Sequence, residues 1–212
     1  MKFDYSIVRS KRKTLTISVS TDNVITVRCP NSMKDSEVEA FITSKSKWLY
    51  KVLAENNAKR ADNEGILNYS KILIGGQKYP LIFCERNKIE NGTVYTKSIP
   101  SIKKTLIKYF SAELLNFAKY ISSQVNLFAS DFSVRSYKSR WGCCDRKGAI
   151  TLNCLIIMLP QYLQRYVIIH ELCHTVHFNH SQKFWNLVAK FEPNYKLCRK
   201  NLKNFNYLTK LY

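Results

Sequence analysis

Apolar and polar residues alternate near the N-terminus, over residues 15–19 and again over residues 24–29. An alternation with a period of two places the apolar side chains on one face of a β-strand. Residues 21–23, Thr-Asp-Asn, lie between the two runs and have the composition of a tight turn. We therefore predict a β-hairpin in this segment.

After Pro30, apolar residues recur at helical spacing from about residue 32 or 35 to residue 52. This spacing predicts an α-helix. The following segment, residues 55–64, has the sequence ENNAKRADNE, with charge but no periodic apolar residues. We predict that the helix ends before this segment, which would then be an exposed loop or linker.

The alternation returns over residues 72–83, where a glycine pair at 75–76 predicts a hairpin turn. Residues 93–95 follow an Asn-Gly pair and predict a further strand. From residue 102 to residue 128 the apolar positions form one broad helical face. This change of pattern predicts a long helix.

The remaining C-terminal segment is predicted to be mixed. Strands are predicted at residues 132–137 and 149–153, with residues 141–148 as the turn between them. Further helices are predicted at residues 161 to about 178, 181–191 and 195–202. We thus predict an α+β fold, with a β-rich region containing one helix at residues 1–98 and a second region at residues 99–212. The two regions are expected to pack as one compact unit.

The composition adds a strong charge imbalance to this outline. The chain has 212 residues, enough for one sizeable core, and its 34 Lys and Arg residues against 15 Asp and Glu residues give a net charge of +19. Such a surface attracts phosphate, anionic lipid or acidic protein. Nucleic acid is therefore a candidate partner, although a basic surface that is simply solvated would have the same composition.

The cysteines and the N-terminus bear on the cellular compartment. The seven cysteines are an odd number without a C-x-x-C pair, which predicts reduced thiols. The N-terminus has no apolar signal segment, and the longest uninterrupted apolar stretch, residues 154–159, is far below the ~18 residues of a membrane span. We predict a cytoplasmic protein without a membrane partner.

The histidines carry the clearest chemical signal. All four fall within eleven residues, HELCHTVHFNH at positions 170–180. On a helix, residues four apart have Cβ atoms about 5–6 Å from each other, so His170 and His174 can reach one metal ion. Glu171 is then placed to take a proton from a water that the metal acidifies. A helix with ordinary surface histidines gives no reason for all of them to gather here.

A catalytic zinc ion has three protein ligands and one open position, so a third ligand is needed. We favour His180, which follows His174 at the interval by which metzincin motifs return a histidine after the helix ends. Asn179 tolerates the left-handed backbone that such a helix end requires. Three imidazoles suit zinc, and we predict one Zn²⁺ per chain.

Two other residues compete for the third position. His177 lies on the same helical face as His174, but in a continuous helix it would lie about 10 Å along the axis from His170. Metzincins have glycine where this chain has His177, so the geometry of the helix end could differ here. Glu192, which precedes Pro193 at a predicted helix junction, is the third candidate.

A second distinctive segment precedes the histidines. It is SRWGCC at residues 139–144, followed by GAITLN at 148–153. Together with YVIIHELCHTVHFNHSQKFW at 166–185, these segments resemble the YgjP-like metallopeptidases, relatives of the SprT-like and WLM proteases. The resemblance is specific over residues 137–202 and extends to the N-terminal YSIVRSKRKTLTISV. The family usually has serine where this chain has Cys143.

The resemblance implies a zincin-like metallopeptidase lobe at residues 99–212 with a small mixed or antiparallel sheet. It implies that His170, His174 and His180 bind zinc and that Glu171 is the general base in hydrolysis of a peptide or protein substrate. It also implies that an edge strand near residues 150–153 binds the substrate backbone by strand addition.

Four residues are candidates for substrate contact: Arg140, Trp141, Asn153 and Tyr195. Arg140 could orient the substrate or pair with an acid, Trp141 fits a core or groove wall, and Tyr195 could donate to the oxyanion or pack in the core. Phe184 and Trp185 are predicted to pack the helix after the motif against the histidine helix.

A rival hypothesis is a nucleic-acid-associated protein with a structural zinc, or a protease recruited to nucleic acid by its basic face. A structural site requires a fourth ligand. Cys173 points about 100° away from His174 around the helix, so it is poorly placed. Cys143 and Cys144 could serve only if their segment folds over the metal.

Overall fold

The computed structural model describes residues 3–20 and 22–212. Its contacts divide the chain into two compact units, Met1–Glu64 and Gly65–Tyr212. The predicted boundary at 98/99 falls inside the second unit. The reason is that strands before residue 98 share the core of the later helices, as Ile72, Leu81 and Val94 show by their burial in that core.

The first unit contains a three-stranded sheet and helical segments that pack against it. Its strands are β1 (Tyr5–Ser10), β2 (Thr16–Val19) and β3 (Ile25–Pro30). Central β3 is antiparallel to β2, as the predicted hairpin requires, and parallel to β1. Thr21 of the predicted turn lies outside the described residues, and Asn23 has a left-handed φ of 64°. The side chains of Val27 and Cys29 are buried with Val38 of the following helix.

Two helices follow where we predicted one. They are α1 (Asp35–Ser44) and α2 (Ser46–Leu67). The prediction that the helix ends before residue 55 was wrong, because α2 continues through residues 55–64. Most side chains of that segment are exposed. Its alanine, glutamate, lysine and arginine residues favour the helix, so a polar helix forms there without an apolar face.

The second unit begins with a four-stranded sheet. Its strands are β4 (Lys71–Ile74), β5 (Gln77–Phe83), β6 (Lys88–Glu90) and β7 (Thr93–Thr96), in the order β4-β5-β7-β6. The hairpin predicted at the glycine pair and the strand after the Asn-Gly pair are confirmed. The backbone N–H groups of Gly75 and Gly76 donate to the carbonyls of Ile157 and Met158, at 2.8 and 3.0 Å. The turn is thereby fixed to the segment that leads into the histidine helix.

The second sheet corrects two expectations. Its strands are β8 (Asp131–Arg135), β9 (Gly142–Cys144) and β10 (Ala149–Asn153), in the order β8-β10-β9. The segment predicted as a turn at 141–148 contains β9, which pairs antiparallel with β10, whereas β8 pairs with β10 in parallel. The prediction of an edge strand at 150–153 was wrong, because both edges of β10 are hydrogen-bonded. Strand β9 forms an edge instead.

The helices of the second unit pack on this sheet or on one another. They are α3 (Ile99–Val125), a 3₁₀ helix (Cys154–Met158), α4 (Gln161–His174), α5 (Gln182–Phe191), α6 (Tyr195–Lys203) and α7 (Leu208–Leu211). All seven cysteines are free thiols. Within the described residues, no helix is both long enough and apolar enough to cross a membrane.

Candidate metal centre and active site

Helix α4 holds the first half of the histidine motif. It packs against α3, α5, α6 and β9, and Ile168, Ile169 and Leu172 are completely buried. Rows of buried apolar side chains on several sides fix the rotation of a helix about its own axis. His170 and His174 therefore emerge from the last turn of α4 in defined directions.

Three imidazoles converge at the end of this helix. One ring nitrogen from each of His170, His174 and His180 can be chosen so that all three lie within 4.8 Å of one another. The Nε2 atoms of His180 and His170 are 3.1 Å apart. In residues 3–20 and 22–212, no other group of three His, Cys, Asp or Glu side chains comes together in this way.

The surroundings of the three rings fit a metal site. The carbonyl of His177 lies 2.9 Å from Nδ1 of His174. A carbonyl can only accept, so Nδ1 carries the proton and Nε2 has a free lone pair for a metal ion. Burial lowers the pKa of His170 to about 3, with smaller contributions from His174 and His180. His170 is therefore neutral at neutral pH, as a ligand must be.

Two of the three candidates for the third position lie outside the cluster. Helix α4 ends at His174, and His177 contributes only its backbone carbonyl to the site. Glu192 is 3.6 Å from Arg165 in an ion pair. The predicted left-handed conformation of Asn179 was wrong, because this residue has no positive φ. Its side chain instead accepts a hydrogen bond from the backbone N–H of Ser181 at 3.3 Å.

Two aromatic side chains pack helix α5 against α4, as predicted, and they also contact the imidazoles. Phe184 is fully buried and stacks on His174 with ring centroids 4.4 Å apart. Its edge also contacts His170 and His180, at 5.0 and 4.8 Å. Trp185 lies 5.5 Å from His180 with the two rings inclined by 30°. These contacts restrict the orientation of each imidazole.

The carboxyl of Glu171 is buried beneath strand β9. Its exposed fraction is 6%. A Cβ atom added to Gly142 would lie 2.9 Å from both Cγ and Oε1 of Glu171, so the strand backbone passes directly over the carboxyl. Burial raises the pKa of Glu171 to about 7, opposed by the positive charge of Arg140. A carboxyl with such a pKa can both accept and release a proton near neutrality.

Gly142 was not identified from the sequence as a residue of the site. The available signal was the glycine that follows Trp141 in the SRWGCC segment, because a glycine in an extended segment can mark a close approach of another group to the backbone. The structure identifies the approaching group as Glu171.

Asn153 has a different position from the one predicted. It is completely buried, and its amide donates to the carbonyls of Tyr137 and Arg140 at 3.1 and 2.7 Å. Its Oδ1 accepts from the backbone N–H of Leu155. The hydrogen bonds of Asn153 thus hold the segment before β9 in place, and the buried side chain has no surface for a substrate.

Arg140 and Trp141 lie in the segment that Asn153 anchors. The Arg140 side chain is exposed, with its guanidinium 5.4 Å from the centre of the Tyr137 ring. Trp141 packs against the core, and its indole N–H donates to Oδ1 of Asn206 at 3.1 Å. Trp141 therefore packs in the core, which was one of its two predicted roles. Arg140 faces solvent near Glu171.

The cysteines do not join the imidazole cluster. Cys173 is completely buried, and the Cys143 thiol lies 3.2 Å from the hydroxyl of Tyr137. Burial and, to a smaller extent, the charge of Glu171 raise the pKa of Cys144 to about 11. In the described part of the chain, the cluster therefore consists of three imidazoles without a fourth His, Cys, Asp or Glu ligand.

A basic pocket lies beside the cluster. Tyr195 stacks on Trp185 with ring centroids 5.3 Å apart, and the two rings form part of its wall. The remaining lining residues are Lys196, Arg199, Lys200 and Lys203. The sequence contained a signal for this pocket that we missed, because positive residues at intervals of three, four and seven lie on one helical face.

Comparison with known proteins identifies the family of this chain. No curated protein matches the chain. A similar solved structure is that of the metallopeptidase zymogen abylysin of Pyrococcus abyssi, which is 27% identical and covers 43% of this chain and 90% of its own, with a TM-score of 0.36. The model of the YgjP-like metallopeptidase domain matches residues 13–205. With its α+β, zincin-like fold, this chain belongs to the YgjP-like metallopeptidase family.

Proposed function

We propose that this protein is a zinc-dependent peptidase in which His170, His174 and His180 hold one Zn²⁺ and Glu171 is the general base. The observation that carries the proposal is the convergence of three imidazole nitrogens within 4.8 Å, next to a buried carboxyl. A bound zinc ion supplies a Lewis acid that acidifies water and polarises a carbonyl group.

Glu171 moves the proton in this mechanism. Its carboxylate accepts a proton from a water molecule as the water oxygen attacks the carbonyl carbon of the peptide. The protonated carboxyl then donates to the amide nitrogen as the C–N bond breaks, so the carboxylate is regenerated. Burial raises the pKa of Glu171 above the ordinary carboxyl value, which makes its carboxylate a stronger proton acceptor than an exposed one.

Strand β9 is the surface we propose for the peptide backbone. One edge of β9 pairs with β10, which leaves the other edge for an added strand. A peptide bound there would pass over Glu171, since Gly142 of the same strand touches this carboxyl. Arg140, exposed just before β9, is placed to contact the substrate.

The competing proposal of a structural zinc has less support. A structural zinc site is closed by a fourth protein ligand. Only three side chains form the cluster among the described residues, and the neighbouring cysteines have other partners or are buried. Three ligands leave a coordination position for water or substrate, as catalysis requires.

Metal content and peptide hydrolysis test the proposed function together. Mass spectrometry of protein purified without chelator should find about one zinc per chain, lost in His180→Ala and retained in His177→Ala. Glu171→Gln should retain zinc and lose at least ~10²-fold in hydrolysis, because it cannot accept the proton.

His177→Ala is the matched control, since its backbone carbonyl remains available to His174. Zinc retained in His180→Ala would remove His180 from the ligand set. Full activity of Glu171→Gln would contradict the general-base role.

A further inference from the structure

The basic pocket, lined by Trp185, Tyr195, Lys196, Arg199, Lys200 and Lys203, is an open depression on the protein surface. Its volume is about 450 Å³, within the ~300–1,000 Å³ range of ligand sites. Two aromatic rings form an apolar part of the wall, and the positive groups all come from α6. The pocket therefore combines a hydrophobic surface with a concentrated positive charge.

The positive groups of the pocket lack carboxylate partners. All four side chains are exposed, and none has a carboxylate within 4.0 Å among the described residues. Glu192, at the end of the preceding helix, is paired with Arg165. Arg199 is held above the Trp185 ring, with its guanidinium carbon 4.9 Å from the ring centre. The four positive groups create a positive electrostatic potential in the pocket. An anionic group that enters the pocket is therefore attracted.

Trp185 connects this pocket with the imidazole cluster. The same indole lies 5.5 Å from the His180 ring and 4.9 Å from the Arg199 guanidinium. These distances place Arg199 within roughly 10 Å of His180, a span that about three extended peptide residues cover at ~3.3 Å each. A peptide with its scissile bond at the cluster can thus place a nearby side chain in the pocket.

We propose that the basic pocket is a substrate subsite that binds an acidic side chain, Asp or Glu, within about three residues of the scissile bond. The protein would then be a peptidase that prefers acidic peptides. This inference rests on the proposed function and extends it to the substrate class.

A peptide carboxylate fits these observations better than a nucleic acid. The pocket is one open depression formed by one helix face and two aromatic rings, beside the candidate catalytic residues. Nonspecific nucleic-acid surfaces follow the phosphate backbone over many residues. The family is also one of peptidases. Binding of nucleic acid is therefore treated as a competing outcome of the test.

A binding experiment tests the subsite without requiring turnover. Three fluorescein-labelled peptides of equal length, with two Glu, two Gln or two Lys at the same positions, would be titrated with the Glu171→Gln protein by fluorescence anisotropy. We expect the Glu peptide to bind at least ~10-fold more tightly than the Gln peptide, and the Lys peptide to bind most weakly.

Two double variants with equal loss of charge separate the pocket from the general positive charge. Lys200→Gln with Lys203→Gln should reduce the preference for Glu over Gln to less than ~3-fold. Lys104→Gln with Lys119→Gln, at exposed positions of α3, should leave the preference unchanged. Arg199 is not varied, because its removal would also change the packing of Trp185.

Kinetics of the protein with Glu171 intact distinguish the two proposals. The α6 double variant should raise KM for the acidic peptide by a larger factor than KM for the Gln peptide, whereas the α3 double variant should leave both KM values unchanged. Equal binding of Glu and Gln peptides would overturn the subsite, even if both peptides are hydrolysed. Absence of all hydrolysis would instead count against the proposed function, while the binding preference would still be measurable.

Two further outcomes would overturn the subsite. One is an equal loss of preference in the α3 control, which would assign the effect to the net charge of the molecule. The other is that the α6 double variant loses affinity for a 20-base-pair DNA duplex but keeps its preference for the Glu peptide. That result would assign the pocket to nucleic acid.

Discussion

At the scale of single residues, His177 illustrates how a residue can serve a site through its backbone. Its side chain was a candidate ligand, but its carbonyl is the group that contacts the site, 2.9 Å from Nδ1 of His174. This contact determines the tautomer of His174 and fixes the ring plane. A hydrogen bond to the ring nitrogen that does not bind the metal commonly orients a histidine ligand. Substitution of His177 by most residues retains the carbonyl.

Gly142 provides a residue-scale prediction. In Gly142→Ala, the new Cβ would lie 2.9 Å from Oε1 of Glu171, closer than nonbonded atoms tolerate. The carboxyl must shift, and a displacement approaching 1 Å costs roughly 10²-fold in activity. We expect kcat for a peptide substrate to fall by this order while zinc content stays the same.

Gly65→Ala is a control for this prediction. Its Cβ would lie 2.9 Å from Cδ and 3.1 Å from Cγ of Lys71, so this substitution introduces an equally close contact that does not involve Glu171. Gly65 lies in α2, where alanine is favoured by about 0.5–1 kcal/mol over glycine. Activity should remain unchanged in this variant. Wild-type activity of Gly142→Ala would show that Glu171 does not require its observed position.

Single residues also show which parts of the site the sequence could predict. The positions of His170, Glu171 and His174 follow from helical spacing, a local property. The burial of Asn153 and the backbone conformation of Asn179 depend on distant segments, so their residue types alone led to wrong expectations. A residue's role could thus be predicted where it depended on the spacing of residues along one helix, and could not be predicted where it depended on contacts with distant segments.

At the scale of secondary-structure elements, the turn between β4 and β5 packs against the start of α4. Gly76 has a φ of 84°, and a Cβ there would lie 2.6 Å from Cγ of Pro160, the residue that caps α4. The same turn donates hydrogen bonds to the segment before Pro160. The hairpin therefore contacts and supports the start of α4, the helix that carries His170 and His174.

The glycine pair offers an element-scale prediction with an internal control. Gly75 and Gly76 both have left-handed φ angles, so alanine at either costs about 1–2 kcal/mol. Only Gly76 also meets Pro160, which should add about 1–3 kcal/mol. Urea denaturation should find Gly76→Ala less stable than Gly75→Ala. Equal losses would show that the hairpin and the helix start are not tightly packed.

Elements were predicted best where their apolar pattern was regular. Helix α3 and the hairpin of β4 and β5 agree with the alternation and spacing of their residues. Strand β9 has only three residues, too few for a periodic signal, and α2 has a polar segment that we interpreted as a loop. Strand β9 forms because it pairs with β10. The polar segment of α2 is helical because its residues have high helix propensity.

At the scale of the whole molecule, the sequence predicted the α+β class and two regions, but the contacts divide the chain after Glu64. The pattern of apolar residues indicates which helices and strands form. It carries little information on which hydrophobic core each of them joins. The net charge of +19 was likewise visible in the composition. The spacing of the positive residues along α6 was visible as well, but the pocket also needs the ring of Trp185 from α5, which only the tertiary structure places beside them.

Zinc binding should stabilise the whole fold. A ligand that binds only the folded state at 100 times its Kd contributes ~2.7 kcal/mol, which corresponds to a rise in Tm of roughly 5–10 °C for a protein of this size. Calorimetry with added zinc and with chelator should measure this rise for the wild type and for Glu171→Gln. His174→Ala should lose it. A Tm independent of zinc in the wild type would contradict the metal site.

The compactness of the histidine motif in the sequence has a consequence for folding. The three imidazoles lie within eleven residues, so bringing them together closes only a short loop and costs little chain entropy. The contact between Gly142 and Glu171 spans a longer segment and needs the β9–β10 pairing. We therefore expect a folding chain to acquire affinity for zinc while α4 and α5 are docking, and to gain hydrolytic competence only when the more distant strand arrives.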